Sequence, residues 1–305
     1  MEENMTQEHD LSEAEEPVTE EENGEALTSA SNRAAFAQAD AFNKKIAEQK
    51  KSKKKERRGL TLSALKGITI VLMILTGMST ALFAPFLNGL LEGVEESEAI
   101  QEIMSGYMTE FTTYYVLVFL SSAFLPLICY LMVDGFIRSQ RPYRNLVEVA
   151  VTAVISEVPY DLAVNKTWSD LSSQNLFFGL FLGLAVLNLL RLLEKKFAES
   201  KAVLYILEVL VVLAGMFLSM MGLSLYGAYP VLIMAVMYLF RDKKLWGAAL
   251  GCFAFSAQTY FFSMLALVPI ALYNGKKGKN MGYVIYIVYP VSLLALWGIG
   301  KAVGM

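Results

Sequence analysis

The chain has 305 residues, 55% of them hydrophobic and 18% charged, with a formal net charge of -3. It carries 29 acidic and 26 basic side chains, and 24 of these fall within residues 1–58, so the remainder is more apolar than a water-soluble core of its size requires. That excludes an ordinary soluble domain, and the only two cysteines, Cys129 and Cys252, each inside an apolar run, argue against a disulfide framework.

Residues 1–32 hold eleven Asp or Glu and no Lys or Arg, with few large apolar groups. Such a segment cannot offset chain entropy by burial and is predicted to be disordered. Between Arg33 and Arg58 the sign reverses to ten basic residues against three acidic. Good helix formers with Phe36 and Phe42 predict a frayed surface helix there. Lys50, Lys51, Lys53, Lys54, Lys55, Arg57 and Arg58 directly precede the first apolar run, where basic residues mark the cytoplasmic side and favour anionic headgroups over nucleic acid. No secretory leader pattern is visible. The reading is a charge-segregated cytoplasmic tail over 1–58 and a membrane domain over 59–305, in the cell membrane.

The first span is predicted over 67–87, followed by an external loop, 88–113, with six Glu and no basic residue. A second span at 114–134 returns the chain to the basic turn of Arg138, Arg141 and Arg144. A third occupies 145–162, a fourth 175–193 ending in Arg191, Lys195 and Lys196, a fifth 202–222, and a sixth 228–240 ending at Arg241, Lys243 and Lys244. The next basic turn is NGKKGK at 274–279, so residues 245–273 must leave and return on one side. Each arm then has about 14 residues against the roughly 20 that a span needs, which predicts a tight or re-entrant hairpin broken near Ser256, Gln258 or Ser263. A last span covers 282–303. Seven or nine crossings result, in an all-α polytopic bundle of about eight to nine helices. A barrel is disfavoured because the runs are continuously apolar rather than alternating.

Ionisable groups inside spans are costly and therefore functional candidates. Glu157 and Asp161 are four apart on one helix face, though Pro159 loosens that geometry. Such a pair can serve as acid and base; equally, SEVPYD can end the helix at headgroup level. Asp134 either belongs to a site or pairs with Arg138, and Glu208 stands alone in an apolar helix. The only histidine is His9, in the tail, so the spans hold no imidazole base or metal ligand, and no metal is expected.

Several segments occur in the order of a known family: LSALKGITIVLMILTGMSTALFAP, the stretch containing VDGF (133–136) and SEVPYD (156–161), and YNGKKG (273–278) followed by YVIYIVYP. Over roughly 62–303 the chain resembles the TraX family, whose namesake is a conjugal-transfer protein that acetylates pilin and which is similar to multi-span membrane acyltransferases. The resemblance implies acyl transfer from a cytoplasmic donor such as acetyl-CoA, a substrate rather than a bound cofactor, to a membrane or envelope acceptor. It implies Glu157 and Asp161 as catalytic carboxylates, and Asp134, Arg138, Asn274, Lys276, Lys277 and Tyr289 as donor- or substrate-binding groups. Membrane lipids and a protein acceptor are the implied partners, with no nucleic acid. The sequence departs from the family pattern where Thr76-Gly77 replaces Asp-His, Ser121-Ser122 replaces Gly-Arg, and Ser292 replaces a His after Tyr-Pro. These departures favour the alternative of a noncatalytic membrane factor of a conjugation or envelope system.

Overall fold

The computed structural model describes residues 59–222 and 224–303; the tail expected over 1–58 lies outside them. The described chain is all-helical apart from two isolated bridges. Continuous apolar runs have no other way to satisfy their backbone away from water.

Helix α1, Leu62–Leu91, contains a π-helical segment at Met78–Phe83. The acidic loop expected at 88–113 has a helix of its own, α2 (Ser97–Gly106), and the second span begins early, as α3 (Met108–Ser121) joined to α4 (Phe124–Arg138). Then come α5 (Pro142–Tyr160), which ends in a π turn at Asp161–Asn165, α6 (Leu176–Lys196) and α7 (Lys201–Met221). The chain continues with α8 (Tyr229–Leu239), α9 (Lys244–Ser256), α10 (Leu267–Leu272) and α11 (Val284–Val303). The expectation of eight or nine helices is not met, because the loop helix α2 and the α3–α4 break add elements that hydropathy merges into neighbours.

Among the described residues, five segments are long and apolar enough to cross a membrane: Leu62–Leu91, Met108–Arg138, Leu176–Lys196, Lys201–Met221 and Val284–Val303. The expected third span, 145–162, corresponds to α5, which is not among the five, and the sixth, 228–240, is α8, whose 11 residues reach about 16 Å against a hydrocarbon layer of roughly 30 Å. The segment 245–273 forms the expected hairpin. Its first arm is the 13-residue α9, and its second is a 3-10 turn, Phe262–Ala266, running into α10. Both arms are of half-span length, with the reversal at residues 257–261, where Tyr260 and Phe261 take positive φ. Ser263 Oγ donates to the Cys252 carbonyl at 3.0 Å and ties the arms together.

Helix α4 is the centre of the bundle, with every residue from Phe124 to Val133 buried. Lipid is as apolar as such a core, so close packing rather than water exclusion holds these helices together. Glycines permit that approach. A Cβ on Gly179 of α6 would meet Pro230 Cγ at 2.9 Å, and one on Gly183 would meet Met234 Sδ at 2.6 Å, so α8 rests on a small-residue stripe of α6. Helix α7 is peripheral: Tyr205, Ile206, Val209 and Phe217 face outward.

The basic turns gather at one end. The Arg138 guanidinium donates to the Gly275 carbonyl at 3.0 Å, Lys66 Nζ donates to the carbonyls of Met281 and Gly282, Arg144 bonds Tyr283, and Arg241 pairs with Glu194 at 2.8 Å. The NGKKG turn caps α1: the carbonyls of Lys276 and Lys277 accept from Leu62 N at 2.7 Å and Ser63 N at 3.2 Å, two of the donors a helix start leaves free.

Candidate functional site

Serine and threonine in apolar helices return their hydroxyl protons to carbonyls one turn back, which satisfies them and loosens the helix. In α1, Thr76 Oγ1 donates to the Leu72 carbonyl at 2.9 Å, while Ser79 Oγ and Thr80 Oγ1 donate to the Thr76 carbonyl at 2.8 and 2.9 Å. The π segment begins within this cluster, and such bulges frequently mark functional sites. Between α3 and α4, Ser121 and Ser122 likewise turn back to Val118 and Phe119.

These two loosened places face each other across a chamber of 830 Å³. Its other walls are the 225–229 loop that leads into α8, bringing Tyr226 and Tyr229, and the hairpin tip, bringing Gln258 and Thr259. Gln258 Nε2 donates to Tyr229 Oη at 3.3 Å, joining the two half-length elements. The chamber thus lies where the start of α8 meets the hairpin tip. Leu125, Met216, Met220 and Leu232 make the apolar part of the wall. A second, small cavity of 20 Å³, enough for one water, is bounded by Thr76, Gly77, Tyr160, Tyr226, Tyr289 and Ser292. Thr76, Thr80, Leu225 and Tyr226 line both.

The candidates from the sequence fall into three groups. Glu157 and Asp161 organise the loop between α5 and α6. Glu157 Oε2 accepts from Asn175 Nδ2 at 2.5 Å. Asp161 accepts from Asn165 Nδ2 at 2.9 Å and from the Asp170 amide at 3.0 Å. Neither carboxylate lines the chamber, although Tyr160 between them borders the small cavity. In the same loop, bonds from Ser172 hold the Asp170 carboxyl below the usual aspartate range.

Asp134, Arg138 and the 273–278 turn form the second group, at the basic end. Asp134 Oδ2 lies 3.0 Å from Arg138 Nε and accepts from Tyr273 Oη at 3.2 Å. Asn274 holds its own turn, accepting from Lys276 N at 3.0 Å and donating to the Gly59 carbonyl at 3.1 Å. The side chains of Lys276 and Lys277 are exposed. Tyr289 stands apart from this group: it is buried and packs on Phe177 beside the small cavity. Glu208, left open by the sequence, is buried.

The TraX protein family model matches residues 61–300. The chain belongs to the TraX family. No curated protein and no solved structure matches it. The positions read from the sequence as departures of this TraX member from the family pattern line two adjacent cavities. Thr76, Ser121 and Ser122 line the chamber, and Thr76, Gly77 and Ser292 border the small cavity that shares its wall. Gly77 has little room for a larger residue, since a Cβ there would meet Leu296 Cδ1 at 2.8 Å. Reasoning from the sequence missed Tyr226, Tyr229 and Thr259. The Thr76, Ser79, Thr80 cluster and the Ser121-Ser122 pair were visible as hydroxyls interrupting apolar runs.

Proposed function

We propose that this TraX member is an acyl-handling protein of the cell membrane, in which the family's transfer chamber is kept as a binding site and its general-base chemistry is lost. One observation carries the reading. The five positions at which the resemblance implies Asp-His, Gly-Arg and His line two adjacent cavities with Thr76 common to both, and there this chain has Thr76, Gly77, Ser121, Ser122 and Ser292. A hydroxyl is a poor nucleophile without an adjacent base, and a positioned base is worth about 10² to 10⁴ in rate. The chamber's volume is that of a small-molecule site, and its mixed hydroxyl and apolar walls suit an acyl chain with a polar head. The basic end, by the charge rule, faces the cytoplasm.

A second reading has its own support: Glu157 Oε1 is buried with no hydrogen-bond partner among the described residues, which leaves a free acceptor. In that reading Glu157 is the base with Asp161 beside it. Asp134, Arg138, Asn274, Lys276 and Lys277 then hold an acetyl-CoA-like donor at the basic end, and Tyr289 contacts the transferred group.

One experiment separates the two. Purified full-length protein is incubated with labelled acetyl-CoA and membrane extract, and in parallel with a photoreactive palmitate. The binding reading expects no labelled product above a protein-free blank, and a palmitate cross-link within 118–125 or 254–259 that Ser122→Trp abolishes. Labelled product that disappears in Glu157→Gln establishes transfer and overturns the binding-only reading, as does the absence of any chamber cross-link.

A further inference from the structure

At the basic end, a cleft of 570 Å³ opens between the start of α5 and the last turns of α6, away from the chamber and independent of the function proposed for it. Arg141, Arg144, Arg191 and Lys195 line it. Of these, Arg144 is neutralised by Glu148, with Nε to Oε1 at 2.7 Å. No salt bridge among the described residues involves Arg141, Arg191 or Lys195.

Two further features make this a built site rather than a charged patch. Helix α5 begins at Pro142 without a side-chain cap on its first turn, and Arg141, Pro142, Tyr143 and Arg144 all line the cleft, so the positive end of a 19-residue helix opens into it. Arg191, on the cleft wall, stacks on Phe136 with its guanidinium carbon 5.4 Å from the ring centre, which fixes its place there. Held on that ring, the half-buried guanidinium is a pre-positioned planar donor suited to an oxyanion with several acceptors. The surroundings indicate where the oxyanion comes from. Leu192 forms part of the wall, and Leu189 and Val147, close by on the same two helices, are exposed apolar side chains. A ligand with its phosphate among the arginines thus has an apolar surface beside it for hydrocarbon chains.

We infer that this cleft binds the phosphate headgroup of an anionic phospholipid, with the acyl chains lying along α5 and α6. Basic pockets between membrane helices are suited to such headgroups, and each Lys or Arg near the surface contributes roughly 1 kcal/mol.

The test uses full-length protein in nanodiscs of phosphatidylcholine doped with phosphatidylglycerol, with the co-purifying lipid counted by native mass spectrometry. Wild type retains phosphatidylglycerol in preference to phosphatidylcholine. Arg191→Gln with Lys195→Gln weakens that retention about thirtyfold, at roughly 1 kcal/mol for each charge removed. Lys243→Gln with Lys279→Gln removes the same charge from the same end outside the cleft, at two exposed residues, and leaves retention unchanged. Equal loss in both double variants, or no lipid preference in wild type, overturns the site. Displacement of the lipid by soluble 3′,5′-ADP at equal phosphate concentration overturns its assignment to lipid. Unchanged retention in a cleft variant with a wild-type melting temperature does the same.

Discussion

Gly278 shows how much one residue carries at the basic end. Its φ of +68° lies in the left-handed region, and a Cβ there would collide with Ser63 Oγ and the Thr61 side chain. The turn it closes supplies the carbonyls that cap α1. Gly278→Ala is therefore expected to cost about 1–2 kcal/mol for the backbone conformation alone, seen as a lower melting temperature in detergent. Gly135→Ala, at a helical position with nothing within 4 Å, should be neutral or gain about 0.5–1 kcal/mol. Equal effects in the two variants would refute this account of the turn. NGKKG was legible as a tight basic turn because glycine spacing is local information. Its attachment to Thr61 and Ser63 was not, because those residues lie more than 200 positions away. The same limit applies to Glu157 and Asp161. Their spacing made a carboxylate pair visible, while the amides they hold, on Asn175 and Asp170, belong to a loop whose path the sequence leaves open.

At the scale of elements, α6 and α8 are held together by absence of side chain. Gly179 and Gly183 are four apart on the α6 face that receives Pro230 and Met234. Gly183→Leu should force these helices apart and cost about 1–3 kcal/mol, as overpacking does. It should also change the chamber, because α8 and the loop before it carry Tyr226 and Tyr229. The check is the melting temperature together with the yield of the palmitate cross-link, and a leucine tolerated without effect on either would disprove the packing role. Hydropathy found α1, α6, α7 and α11 closely, since a span must be apolar for its whole length. It placed α8 to within a residue, at 228–240, but counted as a full span an 11-residue helix too short to cross. It also missed α2, whose charged sequence gives no membrane signal.

At the scale of the molecule, the hairpin decides how many times the chain crosses. Cys129 and Cys252 are buried, so single introduced cysteines can be labelled against a low background. Cysteine at Lys277 should react with a membrane-impermeant maleimide from one side of sealed vesicles, and cysteine at Glu102 from the other. Cysteine at Gln258, at the tip of arms of about 20 Å and 19 Å, should resist the reagent from the Glu102 side. Labelling of Gln258→Cys as fast as Glu102→Cys would mean that the hairpin crosses fully.

The sequence by itself determined the membrane class, the helical architecture, the end at which the basic turns collect and the family, because hydropathy, charge and short motifs are properties of contiguous residues. Only the tertiary structure decided that the start of α8 and the hairpin tip enclose a chamber. It alone brought Thr76, Ser121, Ser122 and Ser292, from three separate helical segments, around two adjacent cavities. Such convergence depends on how glycine stripes and helix breaks set the helices against one another, and no single segment contains that information.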